Sequence, residues 1–320
     1  GFCVINIEAI MVAYLRQKYG VRKIAIVDTD VHHGDGTQDI FYHDPDTLYI
    51  SFHQDGRTLY PGTGFPNEAG SPAALGTNIN LPLLPGTGDE GVHRLFDGII
   101  RPILDDFEPE IIINSAGQDN HFSDPLASMS VTAQGYARLA DKLKADIAVL
   151  EGGYSVEAAL PYVNTGIILA MAEMDYSNVI EPDQTGLRKQ DEKCNARVDE
   201  LIRQIGDLWT NRQKLSSDAL AKCGESWSRR KNIYYDEEGI SEEQVETAHY
   251  CKQCNGYLTI QTAAENTRFG SQNAFIVIVD QCTCQACRQK AYDEALKKKK
   301  TGKWQHVFVQ DKSQGNIENI

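Results

Sequence analysis

The amino-acid sequence predicts an α/β protein, a mainly parallel sheet with helices on both faces, followed by a small module built around paired cysteines. Three observations carry that reading. Short apolar runs at 23–28, 47–52, 78–83, 110–115 and 147–151 alternate with longer stretches of helical periodicity, which implies crossover connections and parallel strands. Acidic and imidazole side chains gather just beyond the carboxyl ends of those runs, where open parallel sheets bind ligands. The composition then shifts near residue 184: the first 183 residues carry 26 acidic and 10 basic side chains, the rest 19 and 21. The expected division is a main domain over 1–183, a helical linker region over 184–247 and a cysteine module over 248–320.

Taken in order, residues 5–19 place apolar groups at helical spacing and stop at Gly20, a helix C-terminal signal. The strand at 23–28 follows, and it leads into Asp28-Thr29-Asp30-Val31-His32-His33-Gly34-Asp35-Gly36. Residues two apart on a strand share a face, so Asp28, Asp30 and His32 would project together where the strand frays. Carboxylate oxygen and neutral imidazole are ordinary zinc ligands, and a catalytic zinc takes three protein ligands with one position left for water. One further ligand must then come from elsewhere. A solvated loop of helix-capping aspartates is the competing explanation. Five ionisable groups in eight residues would repel or need pairing if buried, which favours a metal. Helical stretches are expected near 88–106, 132–145 and 155–174. Asp119 follows the strand at 110–115 and Tyr154 follows the one at 147–151, so five groups converge on one sheet edge.

Past Pro182 the rhythm changes. Residues 188–232 are rich in Lys, Arg, Glu and Gln, with Val198, Leu201, Ile202, Ile205 and Leu208 spaced as the apolar stripe of an amphipathic helix packed against a neighbour. Tyr234-Tyr235-Asp236-Glu237-Glu238-Gly239 reads as a linker. Farther on, Cys251-x-x-Cys254 and Cys284-x-x-Cys287, separated by the β-prone Phe275–Val279, match the spacing of a zinc ribbon with a closed structural site. Cys282 and His249 are alternative ligands, and a redox thiol pair is the alternative chemistry. The run Lys297–Lys300 reads as a solvated helix end, not as a nucleic-acid contact. The partner of this module is left open.

Bulk properties narrow the class. The 320 residues are 41% hydrophobic, enough for a sizeable core, and no apolar run approaches the roughly 20 residues of a membrane span. Eight cysteines, five of them between Cys251 and Cys287 in close pairs, read as metal ligation in a reducing cytoplasm. The acidity of the first part, within a net charge of −14, serves solubility and is compatible with cationic, lysine-bearing substrates.

Six segments, in order, closely resemble the histone deacetylase family with its acetoin-utilisation and acetylpolyamine amidohydrolase relatives. They are Gly1-Phe2-Cys3, Asp28 through Gln38, Tyr60-Pro61-Gly62-Thr63-Gly64, Ser115-Ala116-Gly117-Gln118-Asp119, Asp124-Pro125-Leu126 and Leu150-Glu151-Gly152-Gly153-Tyr154. The resemblance covers about residues 1–175 and implies an arginase/deacetylase-like fold. It implies Asp30, His32 and Asp119 as ligands of a catalytic zinc, with ferrous iron as the alternative metal, and Tyr154 as hydrogen-bond donor to the developing oxyanion. Phe2 and Tyr60 match aromatic walls of a substrate channel, with Leu126 where polyamine-selective relatives carry an acidic gatekeeper. Acetyl-lysine in protein is therefore the expected substrate, with small acetylated amines behind it. Asp28 and Asp35 match carboxylates that orient histidines, His33 a supporting residue, and Asp28 with Ser51 the surroundings of a potassium ion. The family's general acid/base is a tandem His-His just upstream of the Gly-Phe-Cys motif. The sequence begins at that Gly, so it is expected to be a truncated portion of a longer enzyme, inactive alone. Two other readings are kept: a non-catalytic acyl-lysine or partner-binding module that retains the metal pocket, and an arginase-like binuclear manganese hydrolase, for which the segment around Asp119 offers one carboxylate too few.

Overall fold

A computed structural model describes residues 5–235, 239–268 and 270–320. The chain divides into two compact units, Gly1–Leu215 and Ser216–Ile320.

In the first unit, α1 (Ile7–Tyr19) starts where the Asn6 side chain accepts from Ala9 N at 2.7 Å, and stops at Gly20 in the left-handed region. Then come β1 (Ile24–Asp28), α2 (Asp35–Phe41), β2 (Thr47–Gln54) and β3 (Asn78–Leu83). The expected helix over 88–106 is three joined pieces, α3 (Asp89–Leu95), a π-helical turn over Phe96–Ile100 and α4 (Arg101–Phe107). After these follow β4 (Ile111–Ala116), α5 (Ala133–Leu143), β5 (Ile147–Leu150) and α6 (Leu160–Met171).

All five strands are parallel, in the order β3-β2-β1-β4-β5. Every residue of β1, β2 and β3 is buried, which explains the unbroken apolar run Ile24–Val27 of β1; β3 alternates instead, and its buried Asn78 and Asn80 donate to Gln38 Oε1 at 2.7 Å. The pleat sorts β1 between two cores. Ala25 and Val27 join the larger one, with Leu95, Phe96, Ile103, Leu139 and Val163. Ile24 and Ile26 meet Val12 of α1 and Phe41 of α2 on the opposite face. Helices thus cover both faces, each fully buried aliphatic side chain contributing about 1.5–3 kcal/mol.

The interval 184–247 divides between the units. α7 (Glu192–Cys223) buries Val198, Leu201, Ile205 and Trp209 in the first unit's larger core, and Gly98 of the π turn lies so close to Ile202 that a Cβ there would press on its side chain. α7 ends before the expected 232 because Gly224 takes a positive φ of 67°. Next come β6 (Ser226–Tyr235), β7 (Ile240–His249), β8 (Tyr257–Asn266), β9 (Gly270–Val279), α8 (Gln285–Lys300), β10 (His306–Asp311) and β11 (Asn316–Asn319). They form a six-stranded sheet, β11-β10-β9-β8-β7-β6, antiparallel except for the β9–β10 pair that α8 connects. Tyr235 pairs with Ile240, so the stretch expected as a linker joins two strands of a hairpin; residues 236–238 lie outside those described. Phe275, Val277, Val279, Val307 and Val309 bury one face of this sheet against Ala291 and Ala295 of α8.

Candidate metal centre

Strand order places the site. The chain winds outward from β1 through β2 to β3, then returns to β1's other side with β4, so the crevice past the carboxyl ends of β1 and β4 is a topological switch point. Asp30 and His32 follow β1 there, and Asp119 follows β4.

The backbone after β1 is shaped by its own aspartates. Asp30 N donates to Asp28 Oδ1 at 3.1 Å and His32 N to Asp30 Oδ1 at 2.7 Å, two successive Asx turns that end the extended alternation. Neighbouring chain then pins the loop: Thr29 N donates to Ser115 O and Gln54 N to Val31 O, each at 2.9 Å. Asp28 consequently does not join Asp30 and His32. It accepts from the Tyr49 hydroxyl at 2.7 Å instead.

Asp30, His32 and Asp119 each offer one ligand atom, all within 4.8 Å of one another. His32 Nδ1 stands 3.1 Å from Asp30 Oδ1 and 3.0 Å from Asp119 Oδ2. The remaining carboxylate oxygens are held from behind, Asp30 Oδ2 by Gly152 N and Asp119 Oδ1 by Val31 N, both at 2.8 Å. A Cβ on Gly117 would overlap Asp30, and one on Gly152 would overlap the Asp119 carboxylate. Two buried carboxylates and an imidazole converging without a cation among them are costly. The donor set and this tight cradle fit a divalent metal of borderline softness with a ligand position left open.

The electrostatics agree. Burial pulls the His32 imidazole down, but the hydrogen-bonding Asp119 and Asp30 carboxylates outweigh it and raise it to about 10. Burial pushes Asp119 up to about 7 against the help of His32. Positive charge is favoured at the centre of the cluster, and a metal ion would take the proton's place there.

The other expected residues fall into three groups. Tyr154 stands beside the cluster, its ring 6.3 Å from that of His32 and edge-on to it. Asp124 ties it down: Oδ2 accepts from Tyr154 N at 2.8 Å while Oδ1 accepts from Leu126 N at 2.9 Å. Tyr60, Leu126 and Tyr154 are 42%, 51% and 45% exposed, while Asp119 is fully buried. His33, Asp35 and Ser51 do not reach the three ligands. His33 Nδ1 meets Thr63 Oγ1 at 2.8 Å and its ring lies 4.8 Å from that of His53, and burial holds these imidazoles down at about 4 and about 3. Asp35 opens α2 and accepts from Gly36 N. Ser51 pairs with Asp28 across β1 and β2, its hydroxyl 2.8 Å from His53 Nδ1. Phe2 lies outside the described residues.

One buried acidic pair escaped the reading of the sequence. Glu8 is buried on α1 on the same face as Val12 and accepts from Ser115 Oγ at 2.9 Å. Burial, with Glu8 beside it, pushes the Glu151 carboxyl up to about 9. The available signal was a glutamate four residues before Val12 on a helix's apolar stripe.

In the four-cysteine group, the Sγ atoms of Cys251, Cys254, Cys284 and Cys287 also lie within 4.8 Å of one another. Cys282 is exposed and outside the group. His249 is not a member either, because it stacks on Tyr257 at 4.3 Å and meets Thr259 Oγ1 at 3.3 Å.

Comparison with known proteins bears on the first of the two units. The family model described as "Histone deacetylase domain" matches residues 1–169. A "Probable deacetylase" of Archaeoglobus fulgidus is 53% identical over 192 residues, 57% of this chain and 53% of that protein. "Histone deacetylase 14, chloroplastic" of Arabidopsis thaliana is 42% identical over 167 residues, 49% of this chain and 39% of that protein. "Acetoin utilization protein AcuC" of Bacillus subtilis is 37% identical over 192 residues, 57% of this chain and 49% of that protein. Among solved structures, "Crystal Structure of HDA15 HD domain" superposes with a TM-score of 0.57 at 31% identity, covering 69% of this chain and 60% of that one. The chain spans about half the length of the curated relatives it matches. With the matched region taking in the parallel sheet and the convergent Asp30, His32 and Asp119, the chain belongs to the histone deacetylase family.

Proposed function

We propose that these residues form the metal-binding part of a zinc-dependent amidohydrolase that removes acetyl groups from lysine side chains. The observation that carries the proposal is the convergence of Asp30, His32 and Asp119 within 4.8 Å at the sheet's switch point. In this reading those three hold the zinc ion, which when bound polarises the amide carbonyl and lowers the pKa of the attacking water. Tyr154 donates its hydroxyl to the oxygen on which charge develops, a role worth about 10²–10³ in kcat for one preorganised donor. Gly152 brings its backbone N–H against Asp30, and Asp124 fixes the start of the Tyr154 segment together with that of Leu126. In this reading Tyr60 and Leu126 line the approach, and the apolar Leu126 suits the neutral acetyl-lysine better than a polyamine. Proton transfer belongs, by the family resemblance, to a tandem His preceding Gly1-Phe2-Cys3. A potassium ion beside Asp28 and Ser51 belongs to the same reading, supported by the Asp28 carboxyl, which burial and then Asp30 push well above its ordinary value.

The test is zinc-dependent release of acetate from an acetyl-lysine peptide and from an acetylpolyamine by the gene's full product. Turnover of the peptide is expected, falling to background in Asp119→Asn and by about 10²–10³-fold in Tyr154→Phe. Peptide binding with no turnover by the zinc-loaded wild type would replace the enzyme with an acyl-lysine-binding module.

A further inference from the structure

The second unit holds a cluster for which deacetylation has no use. Its four cysteines come from two turns of similar build. In the first, between β7 and β8, Gln253 N donates to Cys251 Sγ at 3.4 Å and Gly256 N to Cys254 Sγ at 3.3 Å. Amide donors aimed at sulfur stabilise thiolate over thiol. The turn requires Gly256, whose φ is 75° and where a Cβ would overlap the His249 carbonyl. In the second, Cys284 is the N-cap of α8 and Cys287 lies in its first turn, so the positive end of a 16-residue helix faces the cluster. The buried Thr283 locks the turns together: its hydroxyl donates to Gly256 O at 2.9 Å and accepts from Asp280 N at 3.0 Å. Two features separate this arrangement from a redox dithiol. Both Cys-x-x-Cys pairs face one centre, and Cys282 and His249 stay outside it.

We propose that Cys251, Cys254, Cys284 and Cys287 bind one zinc ion in a closed tetrahedral thiolate site that fastens the start of α8 to the β7–β8 turn. Four thiols lose their protons to solvent as four sulfur–zinc bonds form, and no position remains for substrate, so the site is structural. The unit needs such a fastening. Between α8 and its sheet the fully buried apolar contribution of the helix is two alanines, Ala291 and Ala295, with Tyr292 partly buried beside them, a light contact for holding a helix.

The experiment uses the full chain, reduced, with Co²⁺ in place of zinc. Thiolate-to-cobalt charge transfer in the near ultraviolet, with strong tetrahedral d–d bands, is expected in the wild type. Asp119→Asn should keep these bands because the aspartate-histidine cluster contains no sulfur, which separates this proposal from the deacetylase reading. Cys282→Ser and His249→Ala should also keep them, whereas Cys254→Ser and Cys287→Ser should lose them. If the serine variants do not fold, the wild type still decides. Four thiols should resist a thiol reagent until a chelator is added, and zinc should be the metal found on elemental analysis. Free reaction of all cysteines before chelation, absence of the charge-transfer band, or the spectrum of a ferric tetrathiolate would overturn the assignment.

Discussion

The aspartate-histidine cluster and the cysteine cluster both gather donors within 4.8 Å, but they stand in opposite relations to their surroundings. The first sits on a parallel sheet in which β1 and β2 are wholly buried and β4 is buried over its last four residues, with cores on both faces. The second sits beside a seven-residue apolar core. Around Asp30, His32 and Asp119 the fold is strong enough to hold like charges together and leave a coordination position open. Around the four cysteines the coordination bonds of the proposed zinc ion would supply what the core lacks. On the two proposals, burial would support a reactive metal in one unit, and a metal would substitute for burial in the other.

The sharpest way to break that contrast is to remove both metals. Chelation should abolish hydrogen-exchange protection of α8 while β1, β2 and β4 stay protected, since structural zinc contributes on the order of 10 kcal/mol to such small modules. Equal loss in both units would refute the contrast. Next in size, Leu201→Ala deletes a fully buried contact of α7 in the first unit's core. It should cost that unit about 2–5 kcal/mol in chemical denaturation and leave the cobalt–thiolate bands unchanged. Gly152→Ala pushes a methyl against the Asp119 carboxylate and should weaken metal binding there roughly 10–100-fold, the loss typical of a disturbed supporting contact. Asp124→Ala frees the Tyr154 backbone and should lower kcat by an amount within that same range, with metal content unchanged; partial restoration by Asp124→Asn, whose amide keeps one acceptor oxygen for the two N–H groups, would identify positioning as the cause. The smallest effect is one of pH. Burial, then Lys142 and Arg138, hold the His93 imidazole at about 4 in the folded first unit, against about 6.5 when unfolded. The unfolded chain binds the extra proton between those values, so stability is complete above about pH 6.5 and falls as pH drops toward 4. His93→Gln should flatten that part of the Tm-against-pH curve.

Much of the first unit could be read from sequence because its physics is local and strong. Strands buried on both faces leave unbroken apolar runs, and Asn6, Gly20 and Thr132 mark helix ends in the ordinary way. Asp30, His32 and Asp119 stood out because dense charge after an apolar strand has few other uses. The second sheet was hidden for the converse reason. β6 and β7 carry Ser-Arg-Arg-Lys-Asn and Ser-Glu-Glu-Gln-Val in place of alternating apolar residues. They are joined by charge, with buried Glu246 meeting Arg229 at 2.5 Å and Lys231 at 2.8 Å. Strands of this kind resemble a solvated linker until their partners are known. The Glu8–Glu151 pair was hidden by separation, because neither glutamate is unusual without the other.

The route by which Asp119 reaches the loop after β1 also sets an order of events during synthesis. Val31 and Asp119 stand 88 residues apart in the chain, yet length is not the main obstacle, since each doubling of a loop costs only about 0.6 kcal/mol. The obstacle is register. The carboxylates acquire their orientation only after β4 has paired with β1 and Gly152 has arrived beyond β5 to brace Asp30. A nascent chain thus cannot complete the aspartate-histidine cluster early. Each cysteine turn, by contrast, offers two thiols three residues apart as soon as it emerges, so this later unit is equipped to capture the proposed ion without waiting for a distant strand.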